Sequence, residues 1–270
     1  MNIGVFDSGY GGLTILKEIE KKLPQYNYIY LGDNARAPYG NRSFETVYKY
    51  TLEAVRKLFE LDCQIIIIAC NTASAKALRS IQQNDLNHIA PGRRILGVIR
   101  PTTEIIDSFS ETKKVGILGT IGTVRSESYI IEISKLHPHI NVFQEACPMW
   151  VSLVENDEYQ SKGADYFIQK NINALLSQNE NIDSIILGCT HYPLLLPKIL
   201  KFTPKHVKII NQGEIVAQSF SDYLYRHPEF EQLCSKDGNR LFLTTESSLL
   251  FDKMATKFLG RNILSKQFSI

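Results

Sequence analysis

The sequence of 270 residues has no long apolar run, little net charge and no closely spaced cysteine pairs. Its longest strongly apolar stretch, residues 65–70, is far too short to cross a bilayer, and the first residues lack the features of a signal peptide. With 30 basic and 28 acidic residues, the net charge of +2 gives no electrostatic argument for a nucleic-acid or membrane partner. We therefore expect a cytoplasmic protein with neither partner.

The five cysteines are an odd number and contain no C-x-x-C pair, which disfavours a disulfide framework and the common zinc patterns. Cys189 and His191 would need two further ligands to hold zinc, and histidines elsewhere show no ligand spacing. We expect free thiols and no metal. The hydrophobic fraction of 44% is enough for an ordinary buried core.

Short runs rich in Ile, Val, Leu and Tyr alternate with amphipathic stretches of helix length. The short runs are apolar on both faces, which predicts parallel strands covered by helices on each side. The predicted strands are residues 3–6, 28–31, 65–69, 95–98, 115–118, 141–143, 184–187, 207–210 and 241–244. The predicted helices are residues 13–22, 43–61, 73–83, 123–136, 162–177, 214–226 and 247–258. This alternation predicts an α/β fold with helices flanking parallel sheets.

Two segments of the first half recur in the second half. Residues 3–9 resemble residues 115–120, with Gly4 and Gly116 separated by 112 positions. Residues 66–72 resemble residues 184–190, with Cys70 and Cys189 separated by 119 positions. Similar offsets in the same order predict a duplicated α/β unit. Each copy would then place a cysteine just past the C-terminal end of a buried strand, where open parallel sheets bind ligands.

Cys70 and Cys189 are each followed by short polar residues, Asn71-Thr72 and Thr190-His191. Free N–H groups at a helix start would lower a thiol pKa and receive carboxylates. The other three cysteines fit better as small buried hydrophobic residues. Two activated thiols on opposite sides of a cleft suit removal of a proton next to a carboxylate and its return from the opposite face.

The glycine-rich loop at residues 7–14 lacks the third glycine of the dinucleotide fingerprint because Thr14 stands there, and no P-loop motif occurs. The loop instead offers the Asp7 carboxylate, the Ser8 hydroxyl and backbone donors, which suit an amino acid. A second polar loop, residues 32–40, is either a solvated connection or part of the same site, and its position after a strand favours the site. The residues alone do not single out Glu155.

Four motifs together resemble the cofactor-independent aspartate/glutamate racemase superfamily, and the resemblance covers nearly the whole chain. They are G-V-F-D-S-G with G-G-L-T at residues 4–14, G-D with A-R-A-P-Y-G at 32–40, A-C-N-T-A-S at 69–74 and L-G-C-T-H-Y-P-L at 187–194. The resemblance implies two flavodoxin-like α/β domains with parallel sheets flanked by helices, pseudo-symmetric, with the active site in the cleft between them. The first domain would comprise residues 1–97 plus 211–270, and the second residues 98–210.

The resemblance also implies interconversion of L-glutamate and D-glutamate without any cofactor or metal, supplying D-glutamate for peptidoglycan synthesis. By this likeness Cys70 removes the proton from D-glutamate and Cys189 removes it from L-glutamate. Asp7 would support Cys70, His191 would support Cys189, and Glu155 would assist. The implied substrate-binding residues are Asp7, Ser8, Asp33, Tyr39, Gly40, Asn71, Thr72, Thr190 and His191.

Some positions depart from the family pattern. Arg100 stands where many members carry an acid, Gln212 stands where Ser is common, and residues 244–247 replace a usual Ser/Thr-Gly-Asp. These departures leave regulation and oligomeric state open, with a homodimer among the assemblies that the family allows. Two other functions also stay open: an aspartate racemase, and a non-catalytic amino-acid-binding protein, which would have no need of paired thiols.

Overall fold

The computed structural model describes all 270 residues and contains ten strands in two sheets. The strands are β1 (Asn2–Asp7), β2 (Tyr28–Gly32), β3 (Cys63–Ile68), β4 (Arg94–Gly97), β5 (Lys114–Gly119), β6 (Asn141–Ala146), β7 (Ser184–Gly188), β8 (Lys208–Ile210), β9 (Arg240–Thr244) and β10 (Ser265–Gln267). The first sheet has 6 strands in the order β10-β9-β2-β1-β3-β4, and the second has 4 in the order β6-β5-β7-β8. All neighbouring strands are parallel.

Helices connect the strands and cover the sheets. They are α1 (Leu13–Lys22), α2 (Phe44–Glu60), α3 (Asn71–Lys76), α4 (Leu78–Ser80), α5 (Leu86–Ile89), α6 (Ile99–Ile105), α7 (Ile121–Arg125), α8 (Ser128–Leu136), α9 (Trp150–Glu155), α10 (Lys162–Leu176), α11 (Leu196–Phe202), α12 (Gln212–Arg226), α13 (Pro228–Glu231) and α14 (Ser248–Leu259). A π-helical turn covers Ile81–Asp85, and 3₁₀ turns cover Asn34–Arg36, Tyr39–Asn41, Ile106–Ser108 and Tyr192–Leu195. None of the helices has the length and apolar character needed to cross a membrane.

All nine predicted strands are present, and the α/β fold class is confirmed. The tenth strand, β10, was not predicted because Ser265–Gln267 is polar and lies at the edge of the first sheet, half-buried or exposed. The predicted helix at residues 123–136 is instead two helices, α7 and α8. The break falls at Glu127, whose φ of 54° lies in the left-handed region that a helix cannot pass through.

Four strands of the first sheet have the same order as the four strands of the second sheet, as the predicted duplication requires. The first four strands are arranged β2-β1-β3-β4, and the next four are arranged β6-β5-β7-β8. In each set the strand that comes first in the chain, β1 or β5, lies between the second and the third strands. The strand order therefore reverses its direction across the sheet at this strand. A crevice forms at such a point, outside the carboxyl ends of the strands. The fold therefore has two equivalent crevices, next to β1 and β3 and next to β5 and β7.

The central strands form the core because they are buried on both faces. Ile65, Ile66 and Ile67 of β3 are almost fully buried, as are Ile185 and Ile186 of β7. Side chains of this size contribute about 1.5–3 kcal/mol each when they are removed from water. The buried strands give the loops at their carboxyl ends a rigid support.

The chain returns to the first sheet through α12, which begins directly after β8. This helix packs on α1, and α14 packs on α1 as well. The apolar face of α1 is buried through Leu13, Ile15, Leu16 and Ile19. Helix α1 therefore joins the first glycine-rich loop to the segment that follows the second sheet.

Candidate active site

A cleft of about 610 Å³, including its open mouth, is lined by loops from both sheets. Each loop follows the carboxyl end of a strand, which is the edge where both crevices open. Ten of the predicted site residues line the cleft: Ser8, Tyr39, Gly40, Cys70, Asn71, Thr72, Glu155, Cys189, Thr190 and His191. Residues that are far apart in the sequence therefore meet at one site. Asp7 and Asp33 are not among the lining residues.

Cys70 caps the N-terminus of α3 and has only neutral hydrogen-bond partners. Its Sγ accepts a hydrogen bond from the Ala73 N–H and donates one to the Ser8 hydroxyl, each at 3.4 Å. Burial and the nearby Asp7 carboxylate raise the pKa of Cys70 to about 12, although the contacts with Ser8 and Ala73 act in the opposite direction. The predicted lowering of this thiol pKa is therefore wrong, because two neutral hydrogen bonds do not offset desolvation of a thiolate. Cys70 carries its proton at neutral pH.

Cys189 follows β7 and lies beside a charged pair. Its Sγ is 4.0 Å from Nδ1 of His191, and Nε2 of the same ring is 3.0 Å from Oε1 of Glu155. Burial lowers the pKa of His191, but the hydrogen bonds with Cys189 and Glu155 outweigh it and raise the pKa to about 10. His191 is therefore an imidazolium at neutral pH, and it places a positive charge next to the sulfur of Cys189.

Asp7 ends β1 and is fully buried below the cleft surface. Its Oδ2 accepts a hydrogen bond from the Gly9 N–H at 2.9 Å, and its Oδ1 accepts one from the Thr190 hydroxyl at 3.5 Å. Burial raises the pKa of Asp7, while the positive charge of His191 and two backbone N–H groups partly offset that rise. Asp7 thus connects the first loop to the segment that follows Cys189, and it acts on Cys70 through its charge.

Asp33 is buried behind Tyr39 and reaches the cleft only through it. The Tyr39 hydroxyl donates to Oδ2 of Asp33, Arg36 Nε donates to the same oxygen at 2.6 Å, and the Thr245 hydroxyl donates to Oδ1 at 2.9 Å. Burial and the Asp33 carboxylate raise the pKa of Tyr39, so this phenol keeps its proton. The structure places Asp33 where it orients Tyr39.

The glycines of the first loop allow the two halves of the site to approach closely. A Cβ atom on Gly11 would lie 2.2 Å from the Thr190 hydroxyl oxygen and 2.5 Å from Nδ1 of His191. Only glycine fits at this distance. The glycine-rich first loop therefore serves the contact between Gly11 and the residues after Cys189.

No group of three or more His, Cys, Asp or Glu side chains is arranged to hold a metal ion.

Comparison with known proteins gives the family. Residues 3–219 match the family model described as Asp/Glu/Hydantoin racemase. The chain belongs to this racemase family. It is 39% identical over 261 residues to a glutamate racemase from Bacillus cereus, an alignment that covers 97% of this chain and 94% of that protein. It is 37% identical over 258 residues to one from Geobacter metallireducens, covering 96% of this chain and 92% of that protein.

Solved structures of the racemase family have the same fold. A glutamate racemase isoform from Bacillus anthracis superposes with a TM-score of 0.90 at 33% identity, covering 100% of this chain and 97% of that chain. The glutamate racemase from Francisella tularensis, solved in complex with D-glutamate, superposes with a TM-score of 0.87 at 31% identity and the same coverage. The predicted resemblance is confirmed, and the racemase is an enzyme of the isomerase class.

Four further polar residues that line the cleft of this racemase were not predicted: Asn41, Thr120, Cys147 and Ser152. The repeat contains a signal for Thr120, since the offset of 112 that relates Gly4 to Gly116 also relates Ser8 to Thr120. The Thr120 hydroxyl lies 2.9 Å from the hydroxyl of Thr72, so it joins the two halves of the cleft. Cys147 and Ser152 have no counterpart in the repeat, and nothing in the sequence distinguishes them.

Proposed function

We propose that the protein interconverts L-glutamate and D-glutamate, using Cys70 and Cys189 as proton carriers on opposite faces of the α-carbon. One observation carries the proposal: the two cysteines follow corresponding strands, β3 and β7, and line one cleft. The glutamate racemases that match nearly the whole chain support glutamate as the substrate. A reaction with a base on one face and an acid on the other needs two such groups.

The two cysteines have different surroundings in this proposal. The imidazolium of His191 lies beside Cys189, whereas Cys70 has only neutral hydrogen-bond partners and is a protonated thiol. The Cys189 thiolate takes the α-proton of L-glutamate, and the electron pair of the broken C–H bond stays on the α-carbon and its carboxylate. The S–H of Cys70 then delivers its proton to the opposite face and gives D-glutamate. The reverse reaction starts from the Cys70 thiolate and the Cys189 thiol.

Polar groups around the cysteines would bind the substrate. The substrate carboxylates and ammonium would contact the side chains or backbone of Ser8, Tyr39, Gly40, Asn71, Thr72, Thr190 and His191. Donors that are already fixed by the protein stabilise the negative charge that develops at the α-carbon. In this assignment Asp7 acts through Thr190 and Cys70, Asp33 acts through Tyr39, and Glu155 acts through His191.

The proposal extends to organisation and cellular role. Residues 1–97 plus 211–270 would form one domain and residues 98–210 the other, which agrees with the division of the strands between the two sheets.

All five cysteines are free, which suits the reducing cytoplasm. D-Glutamate made there would supply peptidoglycan synthesis. A homodimer remains a prediction.

The test is a comparison of L-glutamate and L-aspartate as substrates, with chiral analysis of the products. In deuterated water we expect D-glutamate with deuterium at the α-carbon and little conversion of aspartate. Preferred conversion of aspartate would assign the protein to aspartate racemisation. Binding of glutamate without inversion or α-deuterium exchange would instead indicate an amino-acid-binding protein.

A further inference from the structure

Gln212 lies where the chain returns from the second sheet to the first. It is the first residue of α12, two positions after β8, and its side chain is 3% exposed. Its Nε2 donates to the carbonyl oxygen of Val98 at 3.1 Å and lies 3.1 Å from the hydroxyl oxygen of Thr102. Val98 directly follows β4, where the chain leaves the first sheet. Gln212 therefore lies in one connection between the two sheets and contacts the other.

The same glutamine closes a ring of hydrogen bonds with Asn71 and Tyr129. Asn71 Nδ2 donates to Gln212 Oε1 at 2.8 Å, and Gln212 Nε2 donates to the Tyr129 hydroxyl at 2.9 Å. The Tyr129 hydroxyl donates in turn to Asn71 Oδ1 at 2.7 Å. All three side chains are almost fully buried. The ring joins α3, which follows Cys70, to α8 of the second half and to α12.

One backbone carbonyl fixes the direction of every hydrogen bond in this ring. The oxygen of Val98 can only accept, so the amide atom of Gln212 that faces it is the nitrogen. An amide nitrogen can only donate, so it donates to the oxygen of Tyr129, and the phenolic hydrogen goes to Asn71. Burial raises the pKa of Tyr129, so the phenol keeps this hydrogen. The Asn71 atom that faces Tyr129 must then be its oxygen.

The ring leaves one N–H of the Asn71 amide available to the cleft. Of the two hydrogens on Nδ2, one is donated to Gln212, and the other has no partner within the chain. Asn71 lines the cleft next to Cys70. A rotation of its amide by 180° would put an acceptor where the donor now lies, and it would place two oxygens against each other at Gln212. The ring therefore presents a donor to the cleft and prevents the opposite orientation.

We propose that Gln212 is a positioning residue for the substrate-binding step, which holds the Asn71 amide with its free N–H available to the substrate carboxylate. This inference rests on the proposed function, in which Asn71 contacts glutamate. Because Asn71 binds through a fixed donor, loss of its orientation weakens binding before and during the reaction to a similar degree. Such a loss raises KM and leaves kcat nearly unchanged.

The experiment measures kcat and KM for glutamate in Gln212→Met, Asn71→Ala and the double variant. We expect Gln212→Met to raise KM about tenfold, as loss of one hydrogen bond to a charged group would, with kcat within about twofold of the parent. The Gln212 substitution should add no further increase in KM once Asn71 is alanine, because it acts through that residue. Tyr129→Phe breaks the ring with the least change in volume and should raise KM about threefold.

Gln64→Met is the matched control. Gln64 is also 3% exposed and donates through Nε2 to a backbone carbonyl, that of Gly92, at 3.1 Å, but it does not line the cleft. It should lower Tm and leave KM unchanged. An unchanged KM in both Gln212→Met and Tyr129→Phe would overturn the inference, as would independent effects in the double variant. If Gln212→Met fails to fold, Tyr129→Phe decides. A parent enzyme without glutamate racemisation would reject the proposed function instead.

Discussion

The surroundings of Cys70 and Cys189 differ although their backbone positions correspond. Both residues follow the third strand of a β2-β1-β3-β4-type unit, β3 in one sheet and β7 in the other. Cys70 contacts a hydroxyl and a backbone N–H, whereas Cys189 lies next to a histidine that is paired with a carboxylate. By the offset of 119, Thr72 occupies the position that corresponds to His191. The duplicated backbone places both sulfurs, and non-equivalent side chains give them different surroundings.

The largest expected effect comes from removing either cysteine. Cys70→Ala and Cys189→Ala should each reduce racemisation by about 10³-fold or more, because one face of the α-carbon then has no proton carrier. Chiral chromatography of long incubations measures this loss. Full activity in either variant would contradict the equivalence of the two thiols as proton carriers.

Cys63→Ala is the control for this pair. Cys63 is fully buried in β3 and does not line the cleft. The substitution should lower the free energy of unfolding by about 1 kcal/mol through lost packing and leave kcat/KM nearly unchanged. A loss of activity comparable to that of Cys70→Ala would mean that removal of any buried thiol disturbs the site.

A smaller effect is expected from neutralising the charged pair on the Cys189 side. Glu155→Gln should lower the pKa of His191 by about one unit or more and shift the alkaline limb of the kcat/KM profile to lower pH. The pKa of His191 in the folded protein, about 10, lies above its ordinary value of 6.5. Its stabilising contribution is therefore fully present below pH 6.5 and is lost as the pH rises through about 10.

A pH–rate profile and unfolding measurements at pH 6 and pH 10 test this prediction. The stability difference between the parent and Glu155→Gln should be larger at pH 6 than at pH 10. Glu229→Gln is a matched control, because Glu229 pairs with His227 at 3.0 Å on the surface, away from the cleft. If both variants left the alkaline limb in place, the imidazolium would not be the group that distinguishes the Cys189 side.

The smallest effect is expected on the Cys70 side. Ser8→Ala removes a neutral hydrogen bond of 3.4 Å to the sulfur and one of the several polar contacts proposed for the substrate, so it should lower kcat/KM only about three- to tenfold and leave the shape of the pH profile unchanged. Steady-state kinetics in both directions measures the effect. A shift of the pH profile as large as that of Glu155→Gln would remove the contrast between the two sides.

The sequence was sufficient to predict the fold class and much of the site. Apolar runs marked nine strands, and the paired offsets placed Cys70 and Cys189 at equivalent strand ends. The offset of 112 also pairs Thr120 with the site residue Ser8, so the repeat contains a signal for Thr120. Cys147 and Ser152 had no repeated partner, and Glu155 rested only on the family resemblance. These residues line the cleft because of the way α9 and the segment before it pack, and this packing leaves no local pattern in the sequence.

The sequence by itself determined most of the secondary structure, the duplication and the position of two thiols at corresponding strand ends, because these depend on apolar periodicity and on residue type along the chain. Tertiary structure alone decided which groups surround those thiols and how Asn71 is oriented. Both properties depend on burial and on partners that are distant in the chain, such as Glu155 for His191 and Gln212 for Asn71. Desolvation and hydrogen bonding act through space, so a pattern of neighbours in sequence does not specify them.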